Sequence, residues 1–152
     1  RQVEHECELA IVIGKKAKMI LPEDAYSYIF GYTAANDVTA RDLQKKDETW
    51  ARAKGFDTFC PLGPWIETDF EPADAMLTCR VNSELRQMAS TRDMIFPIPS
   101  ILAFISSIMT LNPGDIILTG TPAGTAPLEA GDVVEVQIDG IGSLTNPVVK
   151  HM

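Results

Sequence analysis

The chain has 152 residues, 45 % of them hydrophobic: enough for a sizeable core and too apolar for a disordered tail. A formal charge of −8 argues against a nucleic-acid backbone as partner, yet it allows an anionic small molecule, because a bound cation can invert the local sign. Three cysteines without metal-site spacing read as reduced thiols of a cytoplasmic protein, and no apolar run is long enough to enter a membrane as a span.

Residues 1–152 read as a single domain, and the abrupt Arg1-Gln2-Val3 opening suggests further chain upstream. From Glu4 to Gly14 the sequence is EHECELAIVIG, in which Leu9 to Ile13 is expected to be a strand covered on both faces. Lys15, Lys16 and Lys18 follow as a solvated turn. The run LPEDAYSYIFGY predicts a helix, with Pro22 in its first turn, Glu23 and Asp24 at the positive end of its dipole, and Gly31 ending it. TAAND, Thr33 to Asp37, is a strand or the end of one, and Thr39 to Lys46 a short helix capped by Thr39.

Residues 47–75 carry no pattern and read as functional loops. LTCRVNSELRQ predicts a hairpin turning near Asn82-Ser83. PSILAFISSIMTL is a helix with Ser100 near its start, broken by NPGD at Asn112 to Asp115, and it suits core or dimer packing. IILTG and VVEVQIDGIG are strands. The class is β-rich α+β.

In an extended Glu4–Ile13 segment, Glu4, Glu6 and Glu8 share one face, while His5, Cys7 and Leu9 share the other. Carboxylates about 7 Å apart repel by roughly 2–3 kcal/mol at an effective dielectric near 20. A hard divalent cation, Mg²⁺ or Mn²⁺, would offset that; a solvated acidic edge that discourages aggregation is the alternative. Asp37 ends a small, apolar stretch where an acid is costly unless paired or coordinated, and Arg41, Gln44 and Lys54 follow as donors or as ordinary surface residues. TGTPAG is either a functional loop or a plain turn, and Cys60 reads as a buried thiol, not a nucleophile.

The segments HECELAIVIGKKAK, GYTAANDVTARDLQ, WARAKGFDTFCPLGPWI, RVNSELRQ, MIFPIPSILAFISSIMTLNPGDIILTGTPAG and GDVVEVQIDGIGSLTNPV, in this order, strongly resemble the C-terminal catalytic domain of the fumarylacetoacetate hydrolase family. The resemblance implies a mixed β-sandwich roll with short helices, a Mg²⁺ or Mn²⁺ site and a homodimer. It makes Glu6, Glu8 and Asp37 the metal ligands and leaves Glu4 outside the set. Arg41 and Gln44 match substrate-contacting positions, Lys54 the active-site lysine, and Thr121 the threonine of a loop that closes over the substrate carboxylate. Relatives carry an upstream lid with a His-Glu pair that activates water; the general base is expected there, because His5 lies on the wrong strand face and His151 in the tail.

The implied activity is metal-dependent chemistry on small 2-oxo dicarboxylates or acylpyruvates through an enolate: oxaloacetate decarboxylation or C–C hydrolysis. The alternatives are a 2-hydroxyhepta-2,4-diene-1,7-dioate isomerase or 5-carboxymethyl-2-oxohex-3-ene-1,7-dioate decarboxylase of aromatic catabolism. A catalytically weak, dicarboxylate-binding dimeric module is the reading from another class.

Overall fold

The computed structural model describes residues 2–150, so His151 lies outside the described residues. Two four-stranded antiparallel sheets carry the fold, joined by short helices. In chain order the elements begin with β1 (Val3–Glu4), β2 (Cys7–Ile13), a 3₁₀ turn over Pro22–Tyr28, β3 (Ile29–Asn36) and β4 (Thr39–Ala40). Helices α1 (Arg41–Lys46) and α2 (Ala51–Lys54) follow, then β5 (Leu62–Glu67), β6 (Met76–Val81) and β7 (Glu84–Ser90). Helix α3 (Ile98–Ile108), β8 (Ile116–Leu118), β9 (Val133–Ile138) and β10 (Gly142–Pro147) complete the chain. One sheet runs β5-β3-β2-β8, the other β10-β9-β6-β7, and β1 pairs with β4 as a small ribbon.

Strand β2 is central and wholly buried, as its continuous apolar run requires. Leu9 and Ile11 from β2 and Ala34 from β3 meet Leu77 and Cys79 from β6 and Val136 and Ile138 from β9 in one continuous core. The β6–β7 hairpin turns at Asn82 and Ser83, where φ is 52° and 70°. Two consecutive left-handed residues are the turn that matches strand twist, as expected at that position. In α3, Ile98 and Leu102 face the core, while Phe104 and Ile108 are exposed. Among the described residues no helix is long and apolar enough to cross a membrane.

Four expectations change. The helix over LPEDAYSYIFGY is only a 3₁₀ turn; Gly31 does not end it but lies inside β3. The reason is packing: a Cβ on Gly31 would lie 2.5 Å from the Glu67 carbonyl oxygen of β5, so only glycine lets the two strands approach. Thr39 does not cap α1, whose N-cap is Ala40 without a side-chain bond; its hydroxyl donates instead to the Asp37 carbonyl. Residues 47–75 are not pure loop, since they contain α2 and β5. Pro64 masked β5, yet the strand sits at a sheet edge, where a missing N–H is tolerated. Finally, VVEVQIDGIG is the first strand and turn of a hairpin whose return strand, β10, has no apolar alternation to announce it.

Candidate metal centre

The acidic strand meets the end of β3 at the proposed centre. Cys7 is registered against Asn36 and Glu8 against Ala35. Just before the pairing, the Glu6 N–H donates to Asn36 Oδ1 at 2.9 Å, and the Asp37 N–H donates to the Glu6 carbonyl at 2.9 Å. These bonds fix Asp37 beside the face that Glu6 and Glu8 share. One oxygen from each of Glu6, Glu8 and Asp37 lies within 4.8 Å of the others. Ligands about 2.1 Å from a Mg²⁺-sized ion lie roughly 3–4 Å apart, so modest side-chain rotation closes the set. All donors are hard oxygens, which suits Mg²⁺ or Mn²⁺.

Two cations border the triad. Lys54, at the end of α2, donates to Asp37 Oδ2, to Glu6 Oε2 at 3.0 Å and to Thr39 Oγ1 at 3.1 Å. Arg41, the first residue of α1, donates through Nη2 to Glu6 Oε1 and through Nε to Glu4 Oε2 at 2.8 Å. Its Nη1 donates to Gln44 Oε1 at 2.6 Å, one helical turn on. Glu4 therefore belongs to Arg41 and stands outside the triad.

Burial, with the charges of Asp37 and Glu6 nearby, pushes the Glu8 carboxyl up to about 7, even though the Gly120 N–H donates to its Oε2 at 2.6 Å. Burial opposes the Lys54 charge, but Asp37 and Glu6 outweigh it and hold the ammonium above its ordinary value. Four carboxylates against one guanidinium and one ammonium leave two negative charges when all are ionised, which a divalent cation would cancel. The donor set thus fits the ion.

Thr121 is placed near this centre but is already engaged. Its hydroxyl donates to the Cys7 carbonyl at 2.8 Å and accepts from Gln87 Nε2 at 2.9 Å. One lone pair remains free, and the hydroxyl hydrogen is committed to Cys7. His5 is fully buried on the opposite strand face, its Nδ1 bonded to Gln87 Oε1 at 2.8 Å and its Nε2 without a partner among the described residues. Burial pushes its pKa down, so it is a neutral core residue.

Cys60 is exposed, not buried; the carbonyls of its neighbours Phe59 and Pro61 accept from the Val38 and Asn36 N–H groups, which holds this segment at the surface beside the end of β3. Partial desolvation and the charges of Asp37 and Glu8 push its thiol up, which disfavours a nucleophilic thiolate.

Sequence reasoning missed Gln87, whose amide joins the acidic strand to the Thr119–Ala123 loop. The only trace of it in the sequence is its polar character in a hairpin position that alternation places inward. A cavity of about 430 Å³ lies behind that same loop, lined by Leu77, Met94, Phe96 and Ile101 with Gly120 and Thr121; none of the triad lines it.

Sandwiched antiparallel sheets that gather three carboxylates, a lysine and an arginine at a strand end define a β-rich α+β fold with a cation-ready acidic centre. The chain belongs to the fumarylacetoacetate hydrolase family: the profile of the fumarylacetoacetate hydrolase C-terminal domain matches residues 1–149. It is 47 % identical over 157 residues to oxaloacetate tautomerase YisK of Bacillus subtilis, covering 97 % of this chain and 52 % of that protein. The structure of 5-carboxymethyl-2-hydroxymuconate delta-isomerase from Mycobacterium smegmatis superposes with a TM-score of 0.98 at 52 % identity, covering 99 % of this chain and 60 % of that one.

Maleylpyruvate hydrolase from Sphingobium sp. SYK-6, solved with manganese(II) and pyruvate, superposes with a TM-score of 0.92 at 42 % identity, covering 100 % of this chain and 56 % of the other. The chain spans only part of the length of such relatives, 62 % in the case of a Methanocaldococcus jannaschii protein 57 % identical to it.

Proposed function

We propose that the chain is the catalytic domain of a Mg²⁺- or Mn²⁺-dependent enzyme that acts on 2-oxo dicarboxylates or acylpyruvates through an enolate, by oxaloacetate decarboxylation or C–C hydrolysis. The observation that carries this reading is the convergence of Glu6, Glu8 and Asp37 within 4.8 Å, bordered by Lys54 and Arg41. Glu6, Glu8 and Asp37 would hold the divalent ion, which would supply Lewis-acid polarisation of a 2-oxo group.

The remaining work falls to side chains. With a cation neutralising the triad, the Lys54 ammonium and Arg41 guanidinium turn part of their charge toward an anionic substrate. Gln44 holds the guanidinium plane through Nη1, leaving its own amide N–H groups for a substrate oxygen. Thr121 shapes the loop by donating its hydroxyl to the Cys7 carbonyl, and it stays the candidate of that loop for contact with a substrate carboxylate.

An enolate of the 2-oxo acid is common to decarboxylation, where CO₂ leaves C3, to C–C hydrolysis, where the acyl group leaves C3 for water, and to tautomerisation, where a proton leaves C3. The named relatives, an oxaloacetate tautomerase, a muconate-type isomerase and a maleylpyruvate hydrolase, support that shared step. Similarity to the isomerase favours a second reading, isomerisation of a hydroxymuconate-type diene in aromatic catabolism. A homodimer is part of the proposal, supported by the exposed apolar Phe104 and Ile108 on the outer face of α3. The free cysteines suit a reducing cytoplasm.

A panel of oxaloacetate, acetylpyruvate, fumarylpyruvate and a hydroxymuconate-type diene, each with Mg²⁺ or Mn²⁺ and with EDTA, tests the assignment. Metal-dependent turnover of at least one is expected. Mn²⁺ binding that needs Glu8, without turnover of any, would leave a binding module instead.

A further inference from the structure

We infer that Gln87 is a positioning residue for the proposed cation site, holding the Glu8 side of the triad by tying the acidic strand to the Thr119–Gly124 loop. The inference rests on the metal reading above and adds to it a residue from the opposite sheet. Gln87 lies on β7, registered against Cys79 of β6, and is only 1 % exposed.

Its amide is fully used. Oε1 accepts the Cys7 N–H at 3.1 Å and faces His5 Nδ1 at 2.8 Å; Nε2 donates to the Pro122 carbonyl at 2.7 Å and to Thr121 Oγ1 at 2.9 Å. A backbone N–H can only donate and a proline carbonyl only accept, so the amide has one permitted orientation. It follows that His5 carries its proton on Nδ1.

These bonds form a closed circuit. The Cys7 N–H donates to Gln87, Gln87 donates to Thr121, and Thr121 donates back to the Cys7 carbonyl at 2.8 Å. Cys7 is the residue between Glu6 and Glu8. Two residues on, the Thr119 hydroxyl donates to the Leu9 carbonyl at 2.8 Å. The loop is thus anchored to β2 on both sides of Glu8, and between the anchors the Gly120 N–H donates to Glu8 Oε2.

The loop also lies hard against β7. A Cβ on Gly124, where φ is +107°, would come within 2.2 Å of the Arg86 carbonyl oxygen, so a side chain there would lift the loop. Gln87 sets where the Gly120 N–H sits, and the N–H sets which Glu8 oxygen remains for a cation. Partners that orient a metal ligand typically change affinity or activity by about 10- to 100-fold when removed. A polar group that merely satisfied neighbours in the core would change stability and leave cation affinity alone.

The test is calorimetric titration of the intact chain with Mn²⁺, comparing wild type, Gln87→Met, Thr121→Val, Thr121→Ser and Glu8→Ala, with circular dichroism melts in EDTA to establish folding. Gln87→Met and Thr121→Val are expected to weaken Mn²⁺ binding by about 10- to 100-fold while folded. Thr121→Ser, which keeps the hydroxyl, should match the wild type, and Glu8→Ala should abolish binding. Folded Gln87→Met and Thr121→Val proteins with wild-type affinity would overturn the role of Gln87 while leaving the Glu8 site standing. If Gln87→Met does not fold, the contrast between Thr121→Val and Thr121→Ser decides alone. A wild type that does not bind Mn²⁺, or a Glu8→Ala protein that binds it normally, overturns the cation reading and this inference with it.

Discussion

Arg41 and Glu4 form an ion pair at 2.8 Å in which both side chains are nearly withdrawn from water, 16 % and 9 % exposed. The same guanidinium reaches Glu6 through Nη2, so Glu4 acts on the proposed centre by orienting the arginine and not by touching a cation. Burial opposes its charge, but hydrogen bonds from Arg41 and Gln2 hold the Glu4 carboxyl below the usual range. Glu4→Gln is therefore expected to lower kcat/KM by about tenfold with Mn²⁺ affinity nearly unchanged. Loss of Mn²⁺ binding as complete as in Glu8→Ala would instead make Glu4 a ligand; calorimetry beside steady-state kinetics separates the two.

Lys54 bonds Glu6 and Asp37 while its side chain is 23 % exposed. In EDTA its ammonium is the cation paired with Asp37, and it shares Glu6 with Arg41. Lys54→Met should then destabilise the chelated protein by about 1–3 kcal/mol, the partial exposure discounting the penalty of breaking a buried pair. Saturating Mn²⁺ should restore most of the difference, because the ion supplies the missing positive charge. Thermal melts with and without Mn²⁺ check this, and an equal gap in both conditions would contradict it. Lys54 also lies 5.9 Å from the centroid of the Trp50 ring, so indole fluorescence gives a second readout of the same event.

Wherever a local signal and a tertiary one agreed, the fold was readable in advance. Leu9–Ile13 is apolar without interruption, and β2 is buried on both faces. Asn82-Ser83 has turn chemistry, and the hairpin turns there. Alternation puts Glu6 and Glu8 on one face and leaves Asp37 as a candidate third carboxylate that the resemblance makes a ligand; the meeting depends on the β2–β3 register, a long-range fact. Long-range packing also explains the misses. Gly31 looks like a helix stop until β5 is laid across it, and β5 itself carries Pro64. Gln87 approaches the centre from another sheet, some eighty residues from Cys7 in sequence, and an inward polar position in a hairpin is a weak mark that does not say what it would touch.

Glu8 gives the chelated protein a distinctive pH profile. Burial, reinforced by Asp37 and Glu6, pushes its carboxyl up to about 7 from an ordinary 4.5, so the folded chain binds this proton more tightly than the unfolded one. The resulting stability is complete below about 4.5 and is lost as the pH rises through 7, by roughly 3 kcal/mol over the window. Glu8→Gln cannot ionise and should be the more stable protein in EDTA above pH 7, with the two converging near pH 4.5. Melting both at intervals from pH 4.5 to 8.5 checks the sign. Mn²⁺ should reverse the order at high pH, because only the wild type keeps the ligand.

Gly31 tests the packing argument without involving the centre. Its hypothetical Cβ would lie 2.5 Å from the Glu67 carbonyl and 2.7 Å from Ile66 Cγ2, both on β5. The first is backbone and cannot rotate away, so Gly31→Ala must push β5 off β3. Overpacking of this kind costs about 1–3 kcal/mol. Only an edge strand is displaced, and β2 and Asp37 lie on the far side or beyond the end of β3, so Mn²⁺ affinity should hold while the melting temperature falls. An alanine protein as stable as the wild type would show that β5 yields freely, and glycine at this position would then need another explanation.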